Sequence, residues 1–202
     1  MTRLTVGATL PEFASQTLAG TPLTDADLRG RRVLLSFRRY AACPVCNQHL
    51  ATFRVRAAAE LGPRGIAMFA VFHSPIERLR GYFAPEELPF EIIADPEFAV
   101  YEAFGVTTQP AALLHPGSLA AAIPAALSGL GDRRQSAVDG TRAMVPANFM
   151  IDDGRIVAAH YGEHLGDAWS IERVIEIADD LWGAPADAGG RVGVPHRVAP
   201  AR

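Results

Sequence analysis

Cys43 and Cys46 are the only cysteines of the 202-residue chain, and they stand in Arg38-Arg39-Tyr40-Ala41-Ala42-Cys43-Pro44-Val45-Cys46-Asn47-Gln48-His49. A Cys-x-x-Cys pair of this kind is suited to two-electron redox chemistry, in which one sulfur attacks as a thiolate and the other closes a disulfide on it. The residue types predict the local geometry. Proline has a fixed φ and no N–H, so Pro44 fits the first position of a helix. Cys43 is then the N-cap and Cys46 the third helical residue, one turn along on the same face, where a disulfide between them is sterically reasonable. A sulfur at the N-cap meets free N–H groups and the positive end of the helix dipole, which favour thiolate over thiol. Such placements bring a cysteine pKa from ~8.5 into a range of roughly 3.5–7.5. Arg38 and Arg39 add to this if they fold back over the loop; otherwise an arginine pair reads as a solvated surface feature. Tyr40 either walls the site or packs.

Other uses of the pair fit less well. A structural zinc site needs about four ligands, and only His49 extends the pair, so no metal is expected. Covalent haem attachment needs histidine directly after the second cysteine, where this chain has Asn47. Two buried structural cysteines remain an alternative, against which Pro44 at a helix start argues. His49 faces the cysteine side if the register holds, and otherwise reads as a bystander. His160 and His164 have metal-pair spacing only on a helix, yet they follow a strand. No cofactor is expected.

The elements that must position the cysteines can be read around them. Val33, Leu34, Leu35 and Phe37 read as a buried strand, spanning 32–37, that delivers the chain to the pair. Leu50, Phe53, Val55, Ala58 and Leu61 keep helical spacing up to Gly62-Pro63-Arg64-Gly65. Ile66–Phe72 is an unbroken apolar run, as expected of a central parallel strand covered on both faces. Ser74 as cap, followed by Pro75, opens another helix with Leu79 and Tyr82. Residues 89–93 read as a short strand and 95–104 as a short helix. Before all this, 1–31 form an irregular N-terminal segment with a hairpin near Leu18–Thr21 and one helical turn in Asp25–Gly30, stopped by Gly30. Residues 107–145 break the rhythm, with helical turns over 119–130 interrupted at Pro124 and a charged loop at 131–140. Asn148–Ile151 and Arg155–Tyr161 form a hairpin about Asp152-Asp153-Gly154. A last helix from Ser170 to Trp182 sets Ile171, Val174, Ile175, Ala178 and Leu181 on one face.

Alternating strands and helices predict an α/β protein with a parallel sheet core and right-handed crossovers. The cysteines sit at the carboxyl end of a strand, where α/β sites lie. One domain is expected over 1–182, with an insertion at about 109–144 and a disordered tail over 183–202. A net charge of −3 gives no sign of a nucleic-acid or anionic-membrane partner. With no apolar run of ~18 residues and no signal-peptide core at the start, a cytoplasmic location is expected, where a cysteine pair is more often redox-active than a structural staple.

The sequence resembles a known family. Val6-Gly-Ala-Thr-Leu-Pro-Glu-Phe13, Leu28–Phe37, Asp95–Val106 and Asn148–Ile156 are similar to landmarks of the peroxiredoxins, the alkyl hydroperoxide reductase and thiol-specific antioxidant group of the thioredoxin superfamily. Arg38–Leu50 and Tyr161–Arg173 look like its subgroup with a Cys-x-x-Cys. The resemblance implies a thioredoxin fold, a central mixed sheet flanked by helices, with an N-terminal extension and an insertion before the C-terminal hairpin. The family's peroxidatic signature, Pro-x-x-x-Thr-x-x-Cys, aligns its cysteine with Cys46. It then meets Arg39 at the proline and Cys43 at the threonine, with Pro146 near the expected arginine. Pro146 also falls close to where thioredoxin-like proteins carry a cis-proline beside the cysteines.

Two enzymatic functions are implied. A thiol peroxidase would attack a small peroxide with Cys46 and resolve the sulfenic acid with Cys43. A thiol-disulfide oxidoreductase would attack a protein disulfide with Cys43 and resolve with Cys46. Helix-terminus physics favours Cys43 as nucleophile and the resemblance favours Cys46. Either function uses a thiol reductant such as thioredoxin, and a homodimer is compatible with both. A third alternative is a non-catalytic partner-binding module.

Overall fold

The computed structural model describes residues 2–131 and 141–185. Most of the charged loop and of the tail expected from the sequence therefore lies outside the described residues. Seven strands, β1 (Ala14–Thr17), β2 (Pro22–Thr24), β3 (Arg32–Phe37), β4 (Ile66–Phe72), β5 (Glu91–Ala94), β6 (Ala147–Asp152) and β7 (Arg155–Tyr161), form one mixed sheet. Its order is β2-β1-β5-β4-β3-β6-β7. β4 runs parallel to both β3 and β5, while β6 is antiparallel to β3 and β7. The helices are α1 (Pro44–Leu61), α2 (Ile76–Arg80), α3 (Ala99–Ala103), α4 (Pro116–Leu127) and α5 (Ile171–Trp182).

The unbroken apolar runs of the central strands have a direct cause: both faces of the sheet are covered. Along β3, Leu34 points into a core shared with Leu50 and Phe53 of α1, Met68, Met150 and Val174 of α5. Val33, Leu35 and Phe37 point to the opposite core with Phe69, Val71, Phe104, Phe149 and Ile151. In that second core Phe37, Phe104 and Phe149 pack on one another in tilted and edge-on arrangements with ring centroids 5.1–5.7 Å apart. Strand β3 is thereby clamped on both sides immediately before the cysteine loop. Among the described residues no helix is long and apolar enough to cross a membrane.

Several elements differ in detail from the sequence reading. On α1 the buried face is Leu50, Phe53, Ala57 and Leu61, while Val55 is 82% exposed; helical periodicity had room for either register. On α5 Ile177 replaces Leu181 on the buried face. Strand β5 lies two residues beyond the expected start. Helix α4 passes through Pro124 without interruption. Phe98 adopts φ 60° just before α3, and the Asp95 carboxylate accepts from the amides of Val100 and Tyr101 at 2.8 and 3.0 Å. The helix expected from Asp95 thus begins only at Ala99, with the aspartate serving its first amides from a distance.

Ser74 does not cap α2. Its hydroxyl accepts instead from the Ala41 amide at 2.8 Å, so β4 and the residues just beyond its end hold the cysteine loop in place.

Candidate active site

Leaving β3, the chain carries Arg38 to Ala42 across the carboxyl end of the sheet before turning into α1. Several backbone groups there find partners drawn from neighbouring elements. The Arg38 amide donates to Val71 O at 2.8 Å and the His73 amide donates to Arg39 O at 3.1 Å. The Tyr101 hydroxyl donates to Arg38 O at 2.7 Å, and Asn47 Nδ2 donates to Ala41 O at 2.9 Å. Pro44 is the first residue of α1, and Cys43 is its N-cap, whose sulfur accepts from the Cys46 amide at 3.2 Å. The expected cap geometry is the one found.

The two thiols are free, and their sulfurs lie 2.6 Å apart with Cys43 as donor to Cys46. Both are buried, and so are Arg38 and Arg39, at 2% and 4% exposure. The solvated reading of the arginine pair is therefore corrected: the loop turns both guanidiniums inward, where they act on the sulfurs. Burial works against ionisation of Cys46. The Cys43 thiol, then Arg39 and Arg38, outweigh it and hold Cys46 down at about 5. Burial and the same hydrogen bond push the Cys43 thiol well up. Helix-terminus physics favours Cys43 for the lower pKa; in the site the thiol hydrogen bond from Cys43 to Cys46, with both guanidiniums behind it, lowers Cys46 instead, and the cap amide is a minor influence on Cys43. Burial, with Arg38 second, brings His49 down to about 3, a neutral imidazole.

Arg38, Arg39, Val45, Cys46, His49 and Pro146 line a cleft with Leu165, Gly166 and Ala168. It leaves about 10 Å³ open to the centre of a water-sized molecule, room for one small ligand. Pro146 lines the same cleft as Cys46, but its peptide bond is trans, as for an ordinary loop proline and not the cis form to which the resemblance pointed. Tyr40 stands apart from this cleft, on a wider neighbouring groove that it shares with Arg39, Pro44, Val45 and Leu113.

The enclosure of His49 and the part played by the 165–168 segment escaped the sequence reading. The spacing of His49 from Cys46 put it on the right face, but nothing showed that a distant segment would close over it. That segment is brought in by Asn148 on β6. Asn148 Nδ2 donates to Ser36 Oγ at 2.6 Å and its Oδ1 accepts from the Trp169 amide at 3.0 Å. From the other side Ser118 Oγ of α4 accepts from the Leu165 amide at 2.9 Å, and His164 stacks on His115 with ring centroids 4.9 Å apart. His160 meets Asp167 instead, so the two histidines of this stretch serve different contacts. Asn148→Ala strands a buried hydroxyl and frees the Trp169 amide; unfolding in urea is expected to register a loss of roughly 2 kcal/mol.

The model of the family described as AhpC/TSA matches residues 6–160. The chain belongs to that family. A curated protein of Mycobacterium tuberculosis strain H37Rv, named "Putative peroxiredoxin Rv2521", is 25% identical over 161 residues, which are 79% of this chain and 87% of that protein. A bcp protein of Haemophilus influenzae with the same description is 28% identical over 106 residues, 52% of this chain and 68% of its own length. Among solved structures, Peroxidoxin BcpB from Mycobacterium tuberculosis is similar with a TM-score of 0.61 at 16% identity, over 89% of this chain and 99% of that one. Mycobacterium tuberculosis AhpC gives 0.60 at 17% identity, over 89% and 94%. The expected architecture, a mixed sheet flanked by helices in the manner of the thioredoxin-fold peroxiredoxins, is the one the chain adopts.

Proposed function

We propose that this AhpC/TSA protein is a thiol peroxidase in which Cys46 attacks and Cys43 resolves. The observation that carries the proposal is the asymmetry of the pair: one sulfur is acted on by both buried guanidiniums, and the other points its thiol at it. The Cys46 thiolate attacks one oxygen of a small hydroperoxide, the O–O bond breaks, and Cys46 becomes a sulfenic acid. The leaving hydroxide or alkoxide takes the Cys43 proton and departs as water or alcohol. Cys43, now a thiolate 2.6 Å from its target sulfur, displaces hydroxide from the sulfenic acid and closes the disulfide. A thiol reductant such as thioredoxin returns both sulfurs to the starting state. The small cleft fits a small peroxide. A disulfide reductase would need Cys43 as an accessible thiolate, yet Cys43 is the more deeply buried and the less acidic of the two.

Stopped-flow oxidation of the reduced protein by hydrogen peroxide, followed across pH, tests the reading. Because the Cys46 pKa is lowered, its thiolate is complete at pH 7 and is lost only as pH falls through about 5. The rate is expected to stay flat between pH 8 and 6 and to fall tenfold per unit below 5. A rate that declines steadily from pH 8 to 6, as for an ordinary thiol, would refute Cys46 as a prepared thiolate.

A further inference from the structure

Among the described residues the charges around the cysteines do not balance. Arg38 is buried beside the two sulfurs, and its Nε and Nη2 have no hydrogen-bond partner; Arg39 Nε is also without one. The ring nitrogens of His49 fall short of well-formed hydrogen bonds, although the Trp169 and Ala168 carbonyls lie close enough to act on the ring. Among the described residues no carboxylate lies within ion-pair distance of either guanidinium. The titratable groups acting on Arg38 are Cys46, Cys43 and the Tyr101 phenol; burial keeps the last two protonated, so the Cys46 thiolate is the anion among them. Buried cations without a counter-charge and buried donors without acceptors are both costly, and a native site normally satisfies them with a ligand or ordered water.

With the pair reduced, one thiolate offsets one of two guanidiniums. Once the disulfide forms, that negative charge is gone and both cations remain, together with several unpaired donors around a space of about 10 Å³. We propose that the cleft formed by Arg38, Arg39, His49 and Cys46 binds a small monovalent inorganic anion, taken up when the pair is oxidised and released when it is reduced. The guanidinium donors of Arg38 and Arg39 and a ring N–H of the neutral His49 would hold it. The free space of about 10 Å³ is of the order taken by a single water or monatomic ion, so a compact anion such as chloride suits it better than sulfate or an organic carboxylate. The anion thereby stabilises the disulfide and acts as a competitor of the thiolate for the same cations.

The inference rests on the pair cycling between dithiol and disulfide, and an equilibrium measurement separates the two ideas. Wild-type protein is equilibrated with a dithiothreitol redox buffer at fixed pH. Chloride is varied at constant ionic strength, with gluconate, too large for the cleft, as the balancing anion. Above saturation, each tenfold rise in chloride is expected to raise the oxidised-to-reduced ratio tenfold, about 30 mV in the potential of a two-electron couple. Arg38→Met, which removes two of the unpartnered guanidinium nitrogens, is expected to weaken binding, so that the dependence sets in only at higher chloride. In a measurement that needs no variant, chloride-35 line broadening should be larger over oxidised than over reduced wild type. A couple that titrates normally but ignores chloride, an equal chloride response in Arg38→Met, or equal broadening over both redox states overturns the anion site and leaves the peroxidase reading standing. Failure of the pair to form a disulfide at all overturns both.

Discussion

Cys46→Ser is expected to lower the rate of oxidation by hydrogen peroxide by roughly 10³-fold or more, whereas Cys43→Ser should retain the fast first step. The size follows from two contributions. At pH 7 an ordinary thiol with a pKa of ~8.5 is only about 3% ionised, so full ionisation of Cys46 supplies roughly thirtyfold. Fixed cations beside the reacting atoms, in a site closed to water, typically contribute another ~10²–10³. Cys46→Ser loses both, since the remaining Cys43 is buried and held as the neutral thiol. Cys43→Ser keeps a hydroxyl where the thiol stood, able to donate to the Cys46 thiolate as Cys43 does across 2.6 Å. It has no sulfur to resolve with, so a single turnover should leave Cys46 one oxygen heavier, visible by mass spectrometry, and further peroxide should carry it to sulfinic acid. Fast oxidation surviving in Cys46→Ser, with loss in Cys43→Ser, would exchange the roles of the two sulfurs and revive the reductase assignment.

What made the pair legible in the sequence was local chemistry. Pro44 fixes the start of α1, so the positions of Cys43 and Cys46 on its first turn follow from residue type alone. The unbroken run of β4 predicted a strand covered on both faces, which the two cores confirm. The polarity of the pair was not legible, because it depends on where two long side chains point. Arg38 and Arg39 are adjacent in sequence to the loop, but their burial is decided by Val71, Ser74 and Tyr101, which hold the loop backbone from 33 to 63 residues away. The role of His49 was hidden for the same reason. Its ring becomes enclosed only because Asn148 pins Trp169 and Ser118 pins Leu165, contacts made through single polar atoms with no periodic signature. Pro124 inside α4 marks the limit of a local rule: a proline disfavours a helix but does not forbid it where neighbouring elements hold the chain.

Arg38→Met is expected to make the protein more stable and less reactive. Arg38 and Arg39 share one thiolate, so removing Arg38 takes this buried group from a net charge of +1 to zero. It also removes two guanidinium nitrogens that have no partner. Replacing whole buried ion pairs or triads with apolar side chains is often neutral or stabilising by about 1–4 kcal/mol, and Arg38 is the surplus cation of this group, so a gain of about 1–3 kcal/mol is expected. Arg39, whose influence on Cys46 is the larger of the two, stays behind to pair with the sulfur, so the variant does not strand an uncompensated anion. The Cys46 thiolate nevertheless loses one of its two cations. A neighbouring arginine is worth about one to three units to an acidic group, so the acid limb of the peroxide-oxidation profile should move upward from about 5 by at least one unit. Urea unfolding and the pH–rate profile together check the pair of effects. A variant that is less stable and keeps the wild-type profile would make Arg38 a packing element of the loop, with Arg39 alone preparing the thiolate. A higher urea midpoint joined to a shifted acid limb would mean that the protein carries Arg38 at a cost to its stability, in return for a sulfur that is ionised at neutral pH.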